Sequence, residues 1–106
     1  MPTASSLTAD ERRIVERILD GTYQLIESDE LKQLIIEENA QLRAEVDGLR
    51  ALMHYLAAHL HAPHPDRGRI RKSLDLIGSG LTGLAVTGVA AQPMIDLVDQ
   101  AQQLFS

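Results

Sequence analysis

Three sets of residues in this chain could do chemistry: a glycine-rich run, four histidines and a scatter of carboxylates. Gly78-Ser79-Gly80-Leu81-Thr82-Gly83 spells G-x-G-x-x-G, the spacing that lets backbone approach a dinucleotide pyrophosphate. That chemistry needs a buried strand before the glycines and a βαβ unit around them. Here Arg69-Ile70-Arg71-Lys72-Ser73-Leu74-Asp75 reads as helix, and too little chain follows Gly83 for such a unit. His54, His59, His61 and His64 gather near a pair of prolines. His54 and His61 are two helical turns apart, about 10 Å by helix rise, too far to share one metal ion. His61 and His64 straddle Pro63, with no carboxylate at close ligand spacing before Asp66. Surface histidines beside a turn are the reading that fits, and their protonation would add charge next to Arg67 and Arg69. No serine or histidine stands in a nucleophile elbow, and the carboxylates read as solvated helix faces. The sequence predicts no enzyme, no cofactor and no metal site.

Composition narrows the class further. A chain of 106 residues is at most one domain's worth, and a net charge of −5 argues against a nucleic-acid surface. With no cysteine, disulfides and thiolate metal sites are excluded. Tyr23, Tyr55 and Phe105 are the only aromatic residues, so Leu, Ile, Val and Ala must carry the burial, which favours helix on helix. The segment MPTASSLTADERR lacks an apolar signal core, so a cytoplasmic location is expected, with peripheral membrane association as the alternative.

The elements follow from caps and breakers. Thr8-Ala9-Asp10-Glu11 fits a capping box, and Ile14, Val15, Ile18 and Leu19 then form one apolar face. Gly21 reads as the stop of this first helix. Ser28 or Asp29 suits the N-cap of a second, long helix that meets no proline before Pro63. Pro63 and Pro65 end it. Ile70, Leu74 and Ile77 resume helical spacing, and Pro93 suits the first turn of a last helix with Met94, Leu97, Val98, Ala101, Leu104 and Phe105 as its apolar stripe. Three segments result: a capping helix and connector over 1–28, an oligomerisation helix over 29–62, and a C-terminal module over 63–106.

The strongest pattern lies on the long helix. Ile35, Leu42, Leu49 and Leu56 fall at heptad position d, and Asn39, Val46, Met53 and Leu60 at a. This unbroken alternation of four and three keeps two helices in contact when they supercoil. It resembles a leucine zipper from Ile35 to Leu60, a structural motif and not a family. Asn39 at a would set register by bonding its symmetry mate, and Glu38 with Arg43, and Glu45 with Arg50, would pair across a parallel dimer. Gly48, at the outer c position, reads as a tolerated surface site. Both ends of the helix are apolar over a wider arc than its middle. The first helix is therefore expected over one end, the C-terminal segment over the other, and a bare two-stranded coil between. A basic-zipper reading fails, because the residues before the seam are mainly acidic.

The glycine-rich segment has two further readings. Ser79, Gly83, Thr87 and Ala91 recur every four residues, as do Gly80 and Gly88 with Leu84 between them, so two helices could approach closely there. A break at Gly78-Ser79-Gly80 is the competing possibility, since glycines weaken a helix. Leu76–Ile95 is also uncharged and long enough to span a bilayer, behind Arg67, Arg69, Arg71 and Lys72. The sequence therefore predicts an all-α protein: a parallel coiled-coil dimer whose flanking helices pack as a bundle. Its expected role is a homo-oligomeric assembly or adaptor protein that pairs with itself and with an unidentified protein partner. The alternative is a membrane-associated or membrane-permeabilising effector that uses residues 76–95.

Overall fold

The computed structural model describes residues 7–38, 40–86 and 88–105, and the side chains of these except at 35–38, 40 and 41. The chain forms an all-α five-helix bundle: α1 (Ala9–Ile26), α2 (Asp29–Glu38), α3 (Ala40–Leu60), α4 (Arg67–Val86) and α5 (Gln92–Phe105). The four longer helices close a ring in which α1 borders α3, α3 borders α4, α4 borders α5, and α5 borders α1.

Side-chain contacts fix the directions. Arg12 donates to the Leu60 carbonyl at 3.0 Å while Glu27 meets Arg50 at 2.6 Å, so α1 and α3 are antiparallel. A Cβ built on Gly80 would lie 3.2 Å from Leu49, whereas Arg69 reaches the Tyr55 hydroxyl, so α3 and α4 are antiparallel too. Gln102 donates to Asp75 at 3.2 Å and Arg67 stacks on Phe105, which reverses α5 against α4. Short connections between antiparallel neighbours are the expected topology of such a bundle.

The capping box forms as the sequence implies. Glu11 N–H donates to Thr8 Oγ1 at 3.1 Å, and Thr8 N–H donates to Glu11 Oε1 at 2.9 Å. Gly21 does not stop α1, which runs on to Ile26. The glycine is instead a point of close approach: a Cβ there would collide with Met94 Sδ on α5. Ser28 caps α2 by accepting from Leu31 N–H at 3.3 Å.

The long second helix is two helices. An unbroken helix would hold Glu27 and Arg50 about 34 Å apart at 1.5 Å per residue, beyond the reach of both side chains. Their ion pair at 2.6 Å requires the chain to reverse between them, and α2 ends at Glu38 where α3 begins at Ala40. The expected placement of covering helices changes with it. α1 lies along the C-terminal half of α3, and α4 covers its middle, where a bare coil was expected.

α4 passes through Gly78-Ser79-Gly80 without a break. Asp66 caps its start by accepting from Arg69 N–H at 3.1 Å. Its end is a Schellman arrangement: Gly88 N–H donates to Ala85 and Val89 N–H to Leu84, with Gly88 at φ +96°. One hydrophobic core gathers residues from all five helices, from Ile14 to Phe105, so the three sequence segments share a single interior.

Candidate protein-docking site

The heptad stripe lies in that interior. Leu42, Val46, Leu49, Met53, Leu56 and Leu60 are all buried within the single chain, the last three completely. They belong to the core that α3 shares with α1, α2 and α4, so these six residues are already covered within the chain. The physical reason is the ring itself: a strict a/d stripe serves equally for packing against a chain's own antiparallel neighbours. Asn39 and the side chains of Ile35 and Glu38 lie outside the described residues.

The expected inter-chain charge pairs are also redirected. Arg50 pairs with Glu27 of its own chain, and that contact, chiefly the hydrogen bond from Arg50, holds the Glu27 carboxyl below its ordinary pKa. Glu45 turns toward α4, 3.8 Å from a Cβ position on Gly83, and its buried Oε2 has no hydrogen-bond partner among the described residues. Arg43 stays exposed. Arg50 and Glu45 are therefore turned to contacts within their own chain and do not orient a parallel pair through this stripe.

The small-residue prediction divides. Gly80 does let α3 and α4 approach, and Gly83 faces Glu45. Gly78 is a close-approach site that the sequence pattern did not single out, with Val98 of α5 3.2 Å from its Cβ position. Ser79 is exposed, Gly88 is the helix stop, and Ala91 is buried beyond the end of α4. Thr87 lies outside the described residues. The two four-residue strips thus do not form one contact surface, because the helix ends at Val86. The same continuity removes the phosphate-loop reading, since Gly78–Gly83 sits inside a helix whose N–H groups are already bonded along its length.

Residues 76–95 do not form one helix. The segment is divided between α4 and α5, and Ile77, Leu81, Leu84, Val89 and Ala91 belong to the core. Among the described residues no helix is long and apolar enough to cross a membrane. The histidines are spread out: His54 meets Tyr23 edge-on and His59 lies 4.3 Å from the Tyr55 ring. Among the described residues no group of three or more His, Asp or Glu side chains could hold a metal ion.

One carboxylate departs from the solvated-face reading. Glu11 is 5 % exposed and takes a bidentate pair from Arg67, at 2.5 and 2.6 Å. The Arg67 hydrogen bonds hold the Glu11 carboxyl below its ordinary value against the opposing effect of burial. Arg67 in turn lies 5.0 Å over the Phe105 ring. This clamp ties the starts of α1 and α4 to the end of α5 and fixes α4 against its neighbours.

The clamp and core leave one face of α3 uncovered. Ala44, Gly48, Ala51, Tyr55 and Ala58 are all exposed, at spacings of four, three, four and three. They are positions c and f of the same heptad, where an ordinary surface helix carries charge. Beside them α3 and α4 enclose an open groove of about 420 Å³. Gly48, Ala51, Leu52 and Tyr55 form one wall, and Arg69, Lys72, Ser73 and Leu76 the other. Tyr55 and Leu76 are among the most exposed large apolar side chains, at 44 and 45 %. Gly48, a tolerated surface site by its sequence position alone, is part of that wall. The signal available was the absence of charge at all the c and f positions from Ala44 to Ala58.

Comparison of the chain with known protein families, with curated proteins and with solved structures finds no match.

Proposed function

We propose that this chain is a small assembly module that acts through protein–protein contacts and pairs with a second copy through the outer face of α3. The observation that carries the reading is the exposed stripe from Ala44 to Ala58, which repeats the buried heptad on the opposite side of one helix. Small residues at these spacings let a second helix approach closely, as Gly80 already does between α3 and α4. Tyr55 and Leu76 add large apolar side chains beside the stripe. Gly48 supports the same role: it costs about 1 kcal/mol of helix propensity relative to alanine, and among the described residues nothing lies within 4 Å of a Cβ built there.

Sedimentation of the full chain tests this. The expected result is a dimer that Ala51→Glu converts to a monomer of unchanged helicity. A monomer across the accessible concentration range overturns the proposal, as does a dimer unaffected by Ala51→Glu.

A further inference from the structure

The groove beside the stripe has a chemistry of its own. Its lining is largely apolar, with Ala51, Leu52 and Leu76, and its α4 side carries Arg69 and Lys72. Among the described residues no carboxylate lines it, although the chain as a whole has a net charge of −5. Arg69 is shared with Asp66 at 3.5 Å, whereas Lys72 makes no salt bridge among the described residues. Each wall spans eight residues, Gly48 to Tyr55 and Arg69 to Leu76, whose ends are about 10 Å or two helical turns apart. A helix lying in it would present apolar residues at i, i+4 and i+7 over that length. Arg69 and Lys72 are three residues apart, so they match two carboxylates one turn apart along one edge of such a helix.

We infer that the α3–α4 groove receives an acidic amphipathic helix of another protein, which displaces the second copy from the outer face of α3. The inference rests on the reading of that face as a docking surface. It adds the partner's chemistry and a consequence: Gly48, Ala51 and Tyr55 belong to both the stripe and the groove, so the two occupants exclude each other. Assembly with itself and binding of the partner are then alternatives set by concentration.

The test uses two labelled alanine-rich peptides of about twenty-five residues, beyond the length at which isolated helices are marginal in water. Both carry leucines at i, i+4 and i+7; one has glutamates along its edge and the other lysines. Fluorescence anisotropy with the full chain should show the glutamate peptide binding at least about tenfold more tightly, from two exposed charge pairs. Sedimentation should show that peptide converting dimer to monomer. Arg69→Glu with Lys72→Glu should reverse the preference, and Lys72→Glu alone should weaken it if the double variant folds poorly. Leu76→Asp should abolish binding of both peptides.

Equal binding of the two peptides, or no reversal in the charge variants, overturns the inference. If neither peptide binds while the chain dimerises through Ala51, the inference fails and the proposed function stands. If the glutamate peptide binds a chain that is monomeric throughout, the helix-receiving groove stands, while the displacement and the self-pairing fail.

Discussion

Replacing Leu56 by alanine separates an internal heptad from an inter-chain one. Leu56 is fully buried within the single chain, so its truncation removes core contacts and leaves a cavity flanked by helices that cannot fully collapse. The expected cost is about 3 kcal/mol per chain. In a domain of this size that lowers the thermal midpoint by roughly 15 °C. The assay is urea unfolding by circular dichroism, in an Ala51→Glu background so that association through the outer face does not contribute. Stability and its loss should then be independent of protein concentration. Were Leu56 in a seam between two chains, each dimer would lose both copies, about 6 kcal/mol. The stability of that dimer would also rise by about 2.7 kcal/mol for each hundredfold increase in concentration. A concentration-dependent midpoint in this background would refute the assignment of the stripe to the chain's own core.

Other features of the fold are testable in the same way. Glu11→Gln should destabilise the chain by about 2 kcal/mol, less than for a fully buried pair because Arg67 is 33 % exposed. Adding Arg67→Met should restore part of that loss. Because the folded-state value of Glu11 is depressed, its stabilising contribution is complete above its ordinary value of 4.5 and is lost as pH falls through the lower folded value. Unfolding measured from neutral to acid pH should show the wild-type advantage over Glu11→Gln constant near neutrality and shrinking in that acid range. Gly88→Ala should cost about 1 kcal/mol by the same unfolding assay, because an alanine is strained at φ +96°.

Much of the fold was legible in the sequence, and its gaps have physical causes. The capping box at Thr8 and Glu11 is a local device whose residues lie within one turn, so spacing alone revealed it. The Pro63–Pro65 break and the apolar stripe of α5 were equally local. Gly21 misled because a glycine that ends a helix and one that admits a neighbouring side chain look the same until Met94 is placed against it. The chain reversal between α2 and α3 falls inside an uninterrupted heptad, and it shows only through the Glu27–Arg50 pair, which joins residues far apart in sequence. For the same reason the Glu11–Arg67–Phe105 clamp could not be read: each member looks like a surface or terminal residue until three helix ends meet. The candidate docking face was half-legible. The uncharged c and f positions were visible, but their exposure became distinctive only once the a and d positions proved to be inside the chain.

The most direct measurement is the molar mass of the full chain by sedimentation equilibrium, beside that of Ala51→Glu and of Leu76→Asp. The wild type is expected at twice the chain mass of 11.7 kDa and Ala51→Glu at the single-chain mass, with both retaining the same helical signal. A wild-type protein that stays at the single-chain mass, or an Ala51→Glu protein that still pairs, would contradict this.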